Sequence, residues 1–158
     1  IRYRNFRTFT SPEPTQFSSL AIDPSGQLVC AGCLDTFQVC VWSMKTGSLL
    51  EMLSGHEAPV SGLAFHTSRA MLASSSWDNT VRVWDIFEKK ATRETLEFGS
   101  DVLALAFRPD GRELASSTLN GNLTMWDVTG GGANLVGTIE GRRDIRGLSA
   151  AFCRTGCG

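Results

Sequence analysis

Three groups of side chains could do chemistry at the spacings this sequence gives them. His56, Ser74 or Ser76, and Asp78 supply the residue types of a nucleophilic triad: general base, hydroxyl and orienting carboxylate. A catalytic serine of that kind stands on a sharp turn, as in a Gly-x-Ser-x-Gly elbow, which lifts its oxygen clear of the fold. Neither serine has such a turn, and Ser74-Ser75-Ser76 reads as strand, so no catalytic residue is expected. Cys30-Ala31-Gly32-Cys33 has the spacing of a zinc or redox pair. No second pair follows at zinc-ribbon distance, and Cys153 and Cys157 are set wider, so no metal site is expected. Gly130-Gly131-Gly132 lacks the Gly-Lys-Ser/Thr that completes a phosphate cradle and reads as a connecting loop. No cofactor and no small-molecule substrate are implied.

The elements that carry these residues are set by a repeat. Trp42, Trp84 and Trp126 recur every 42 residues. Each closes an apolar-x-apolar-Trp stretch: Val39-Cys40-Val41-Trp42, Val81-Arg82-Val83-Trp84, Leu123-Thr124-Met125-Trp126. Upstream lie Leu20-Ala21-Ile22, Leu63-Ala64-Phe65 and Leu105-Ala106-Phe107, each followed by a turn and then a run of small and apolar residues. Cys30 falls in the slot of Ala73 and Ala115, and Cys33 in that of Ser76, which favours packing over ligation. Asp35, Asp78 and Asn120 precede the Trp strands. The first unit holds one extra residue there, read as a bulge in its Trp strand.

The stretches are short, rich in Val, Leu, Ser and Thr, and broken by turn residues, with no sustained helical period. Each unit therefore reads as a four-stranded antiparallel sheet. A period of ~40–45 residues with four strands per unit is that of a propeller blade. One small sheet cannot bury two apolar faces alone, and stacking sheets around an axis does so. The innermost strands, such as residues 60–65, are apolar or small, and both of their faces are expected to be covered.

Gly55-His56 upstream and Trp84-Asp85 at the close of the same unit resemble the WD-repeat family, over nearly all of residues 12–141. That resemblance implies a buried hydrogen-bonded tetrad of His56, Ser74 or Ser76, Asp78 and Trp84. The two serines share a strand parity, so sequence leaves the choice open. The other units depart from the pattern. The first has Glu13 at the His position and Ser43 for the final Asp; the third has Phe98 and Asn120. Only the middle unit is expected to build the full tetrad. Around Trp42 and Trp126, with Asp35 and Asn120 in their turns, apolar packing is expected to take over.

The expected fold is all-β, a partial propeller of about three to three and a half blades. Residues 1–11 are expected to be the outer strand of a preceding blade. Residues 12–53, 54–97 and 98–139 form three blades, and 140–158 begin a further blade with a divergent tail. Propellers have typically 4–8 blades, so the expectation is a fragment of a ring with exposed blade faces and an unpaired edge.

Composition sets the remaining bounds. Fifteen Lys and Arg against sixteen Asp and Glu give a net charge of −1, which excludes dominance by a basic nucleic-acid stripe. With 42% hydrophobic and 20% charged residues the chain is globular, and no apolar run approaches the ~18 residues of a membrane span. The start, Ile1 to Arg7, lacks the apolar core of a secretory leader. Together with an odd count of five cysteines, this leads to an expectation of free thiols in a reducing compartment.

A closer resemblance lies outside the repeat. Arg4-Asn5-Phe6-Arg7-Thr8-Phe9-Thr10-Ser11-Pro12 and Pro14-Thr15-Gln16-Phe17-Ser18-Ser19-Leu20-Ala21 are similar to the periodic tryptophan protein two family. Leu53-Ser54-Gly55-His56-Glu57, Ala73-Ser74-Ser75-Ser76-Trp77-Asp78 and Phe107-Arg108-Pro109-Asp110-Gly111 continue the match to about residue 144. The resemblance implies a non-catalytic nucleolar scaffold of the small-subunit processome. Its partners would be proteins of a pre-ribosomal subcomplex, the pre-ribosomal RNA and the box C/D small nucleolar ribonucleoprotein. The competing reading is a WD-repeat adaptor of another kind, such as a ubiquitin-ligase substrate receptor or a signalling platform. Candidate partner-binding residues are Trp77 and the arginines Arg2, Arg4 and Arg7. The arginines alternate with Tyr3, Phe6 and Phe9, a mixture suited to stacking and phosphate contact, but an outer blade strand with one packed and one solvated face is the stronger reading. Trp77 reads either as a partner anchor or as a cap over the neighbouring blade.

Overall fold

The computed structural model describes residues 8–86, 92–130 and 132–141. Among them are twelve strands and no helix. β1 (Phe17–Ile22), β2 (Leu28–Cys33), β3 (Val39–Ser43) and β4 (Leu49–Leu53) form one sheet, in chain order and antiparallel throughout. β5 (Val60–Phe65), β6 (Met71–Ser76), β7 (Thr80–Asp85) and β8 (Thr92–Glu97) form the second. β9 (Val102–Phe107), β10 (Glu113–Thr118), β11 (Leu123–Asp127) and β12 (Asn134–Ile139) form the third. This is an all-β stack of propeller blades, and no helix among the described residues is long and apolar enough to cross a membrane.

The register repeats with the sequence. Trp42 lies opposite Val29, Trp84 opposite Leu72 and Trp126 opposite Leu114. The ladder to the outermost strand shifts just before each of these tryptophans. Blades then meet face to face. Leu28, Cys30, Val39, Val41 and Leu53 of the first pack on Val60, Leu72 and Trp84 of the second. Ala73, Val81 and Leu96 of the second pack on Leu105, Phe107 and Leu114 of the third. Each buried Val or Leu contributes about 1.5–3 kcal/mol, so these junctions are where the arc gains its stability. A hydroxyl pins each junction near the axis: Ser18 donates to the Val60 carbonyl, and Ser61 to that of Val102 at 2.5 Å.

Two expectations are corrected. The extra residue of the first unit is not a bulge in the Trp strand, because β2 and β3 pair in unbroken register. It lies in the turn, where Cys33 N–H donates to Gln38 O at 2.9 Å across Leu34–Phe37, and Phe37 takes a φ of 59°. The turn absorbs the insertion because a one-residue slip within the strand would turn every following side chain to the wrong face. Nor are the innermost strands the most covered: β5 is mostly half-buried, while β2 and β6 are buried at every position. A second strand has ladder partners on both edges, and the face of β2 turned away from the second blade is covered by Trp42, Phe9 and Met52. An innermost strand leaves one edge toward the axis.

Of the expected leading strand, residues 8–11 carry no strand, and Phe9 rests on Trp42 with ring centroids 6.1 Å apart. Arg2, Arg4 and Arg7 lie outside the described residues, as do residues 142–158 of the expected further blade, Cys153 and Cys157 among them.

Candidate functional site

Strand geometry brings the triad-like residues together at one end of the second blade. β6 carries Ser74 inward, the turn after it carries Asp78, and β7 brings Trp84 back beside Ser74. The loop before β5 folds His56 over all three. His56 Nδ1 lies 2.8 Å from Asp78 Oδ2, and Nε2 lies 2.7 Å from Ser74 Oγ. Trp84 Nε1–H donates to the same Ser74 oxygen at 2.8 Å. The partners assign a neutral ring with its proton on Nδ1. Asp78 accepts that proton, and Ser74 donates its own to Nε2 while accepting from the indole.

Ser74 is the member that joins His56 to Trp84. Ser76 serves the same turn differently, donating to Ala58 O at 3.0 Å and accepting from Asp78 N–H at 3.1 Å. Asp78 also accepts from Glu57 N–H at 3.0 Å and from the Thr80 hydroxyl at 2.6 Å. Burial pushes the Asp78 carboxyl upward, but Thr80, Glu57 N–H and His56 together hold it below the ordinary carboxylate value. Burial pulls His56 below its ordinary value, against the opposing pull of Asp78. Ser74 is fully buried, its oxygen capped by the indole. The arrangement has the bonding order of a hydrolase triad, but its hydroxyl presents no surface to a substrate. What it does is tie loop, turn and two strands into one satisfied unit.

The neighbouring blades solve the same corner with fewer polar bonds. Trp42 Nε1–H donates to Thr10 O at 3.0 Å, with Phe9 and Phe17 against the ring. Asp35 accepts from Gln16 N–H at 3.4 Å, as Asp78 does from Glu57. In the third blade Phe98 stands edge-on to Trp126 at 5.6 Å. Among the described residues Asn120 bonds within its own turn, to Thr118 and Asn122. The Trp126 indole N–H is buried without an acceptor among the described residues. A cavity of about 260 Å³ lined by Phe98, Thr118 and Asn120 lies beside it.

Cys30 and Cys33 face opposite sides of β2, because three positions along a strand reverse the side chain. Cys30 packs toward the second blade and Cys33 toward the open face. Burial pushes the Cys30 thiol up to about 12. Cys33 pairs instead with Cys40 across the ladder, with sulfurs 3.7 Å apart. The two sulfurs share a hydrogen bond, which brings Cys33 down to about 7 and pushes Cys40 up. Among the described residues no three His, Cys, Asp or Glu converge on a possible metal position.

Sequence reasoning missed His66. Its Nε2–H donates to Gly111 O at 2.8 Å, while Nδ1 accepts from Ser68 and Arg69 N–H at 3.1 and 3.0 Å. This buried ring bolts a turn of the second blade to a turn of the third. Gly111 is required there twice over: its φ is +72°, and a Cβ would sit 2.5 Å from the imidazole. The pairing spans 45 residues and two blades, so no local pattern announces it.

Meandering four-stranded sheets on a 42-residue period, stacked through Trp corners with a His-Ser-Asp-Trp network, define a WD-repeat protein of the β-propeller class. The family model described as "WD domain, G-beta repeat" matches residues 47–85 and 92–127. Periodic tryptophan protein 2 homolog from Mus musculus is 59% identical over 145 residues, covering 92% of this chain and 16% of the relative. The Arabidopsis thaliana protein is 58% identical over 146 residues, with 92% and 16% covered. The Saccharomyces cerevisiae protein is 54% identical over 145 residues, with the same coverage. The chain belongs to the periodic tryptophan protein 2 family, and it spans about one sixth of the length of these relatives.

Proposed function

We propose that this chain is part of a non-catalytic scaffold that supports pre-ribosomal RNA processing and small-subunit assembly in the nucleolus. Its partners on this reading are proteins of a pre-ribosomal subcomplex, the pre-ribosomal RNA and the box C/D small nucleolar ribonucleoprotein. The observation that carries the proposal is similarity at 54–59% identity over 92% of the chain to periodic tryptophan protein 2 from an animal, a plant and a fungus. The buried His56 network supports the non-catalytic part, since its one nucleophile-like hydroxyl is enclosed. Affinity purification of the intact protein tests it. Recovery of pre-ribosomal RNA with nucleolar partners is expected. Recovery of cullin-adaptor components instead would overturn it in favour of a ubiquitin-ligase receptor. Hydrolytic turnover that disappears in His56→Ala would overturn the non-catalytic part.

A further inference from the structure

Two of the buried thiols stand close enough to react with each other. Cys33 ends β2 and Cys40 sits near the start of β3, with their sulfurs 3.7 Å apart and both side chains fully buried. Cys40 lies opposite Ala31, so it and Cys33 share one face of the sheet as diagonal neighbours. Trp42 lies on that face too, with Phe9 and Met52 packed against it. The cysteines among the described residues are all free thiols.

The two sulfurs are not equivalent. Their shared hydrogen bond brings the Cys33 thiol down to about 7, against burial and the charge of Asp35, and pushes Cys40 up. Near neutral pH Cys33 therefore has the thiolate character that makes a cysteine nucleophilic. Cys30 is set apart on the opposite face of β2, and burial raises it to about 12. Geometry decides what kind of bond the pair can close. A disulfide needs sulfurs at ~2.05 Å and Cα atoms usually within ~4.4–6.8 Å, whereas diagonal positions in a sheet lie about 7–8 Å apart. Closure must draw the end of β2 inward. The give is there, because Cys33 is the last residue of its strand and the turn after it holds Phe37 at a φ of 59°. A bond closed against that turn carries strain, and strained disulfides are the readily reduced ones.

We propose that Cys33 and Cys40 form a redox-active pair, oxidised by a hydroperoxide to a reversible disulfide across the turn of the first blade. Hydrogen peroxide is the simplest oxidant of that class. The Cys33 thiolate attacks one peroxide oxygen and the O–O bond breaks. The departing hydroxide takes up a proton and leaves as water, and Cys33 becomes a sulfenic acid. The Cys40 sulfur then attacks the Cys33 sulfur, the S–O bond breaks, and the second hydroxide leaves as water with the Cys40 proton. Two electrons pass from the two sulfurs to the peroxide. Entry is through residues 8–16, which carry no strand and lay Phe9 against this face. Local opening of that segment uncovers the pair. The inference stands apart from the scaffold reading, which uses no thiol.

The test treats the full chain, reduced beforehand, with a small excess of hydrogen peroxide near pH 7. The remaining thiols are then alkylated and the chain is mapped by chymotryptic mass spectrometry. Cleavage after Phe37 separates Cys33 from Cys40, so a link between them holds two peptides together until a dithiol reductant is added. That link is expected in the parent and in Cys30→Ala, whose slot is alanine in the other two blades. In Cys40→Ala, Cys33 is expected to stop at the sulfenic acid and be trapped by dimedone. In Cys33→Ser, which matches Ser76 of the second blade, Cys40 is expected to stay a thiol. Both variants are read where their melting midpoint matches the parent, and the parent and Cys30→Ala decide the matter if either fails to fold. Cys33 and Cys40 both alkylated after peroxide would overturn the proposal. So would a link from Cys33 to Cys30, Cys153 or Cys157 in place of Cys40, or dimedone on Cys40 in Cys33→Ser.

Discussion

At the scale of residues, the second blade depends on hydrogen bonds that are complete only while two imidazoles stay neutral. Protonated His56 would turn Nε2 into a donor facing the Ser74 hydroxyl, and protonated His66 would aim Nδ1–H at two backbone N–H groups. Burial lowers both rings below the ordinary value of 6.5. The unfolded chain therefore takes up protons first as pH falls, and stability follows proton uptake. The stability these rings confer is full above about pH 6.5 and is lost as pH drops through their lower folded values. Urea midpoints measured from about pH 7.5 to 5 should fall, and the fall should be shallower in His66→Gln. A midpoint indifferent to pH would contradict the neutral-ring assignment. Trp84→Ala should destabilise the chain by about 3–5 kcal/mol, since the ring is buried at the junction of two blades. Ser74→Ala should cost about 1–3 kcal/mol for each partner left unsatisfied. Thermal melts decide both. The tetrad's membership was legible except for the serine. Ser74 and Ser76 point the same way, and only the three-dimensional reach of His56 separates them.

At the scale of elements, three copies of one blade corner show what polar closure adds. The middle copy has its full set of partners, the first borrows a backbone carbonyl for its indole, and the third leaves the Trp126 N–H without an acceptor among the described residues. The cavity beside Phe98 and Asn120 marks where His56 and Asp78 sit in the second blade. Phe98→His with Asn120→Asp should rebuild the network through Ser116, which occupies the slot of Ser74. The double variant should melt higher than the parent, while each single change, which leaves a buried polar group half-satisfied, should melt no higher. Equal melting of parent and double variant would show that the corner is set by packing alone. The strands themselves were readable from sequence because the 42-residue period, the Trp positions and the turn residues agree. The place of the extra residue was not. A count between Asp35 and Trp42 cannot distinguish turn from strand, and the positive φ of Phe37 that accommodates it leaves no trace in composition.

At the scale of the whole molecule, the two outer faces of the arc differ from the junctions inside it. Leu20 and Ile22 are 66% and 53% exposed, while their counterparts Leu105 and Phe107 are 6% and 8% exposed. At the other face Ile139 is 63% exposed, where Leu53 and Leu96 are 3% and 4%. Each face thus presents half of the interface that the interior uses twice. Apolar faces of this kind promote association. Light scattering of the chain should show mass rising with concentration, and Leu20→Lys with Ile139→Lys should suppress the rise. A parent that stays monomeric at every concentration would contradict this. The central claim, that the periodic tryptophans are equivalent corners of stacked blades while Trp77 serves the surface, is tested most directly by hydrogen exchange of the four indole N–H groups. The account predicts strong protection of Trp84 and Trp42, whose N–H groups are hydrogen-bonded in the interior, and rapid exchange at Trp77. Exchange at Trp84 as fast as at Trp77 would contradict it.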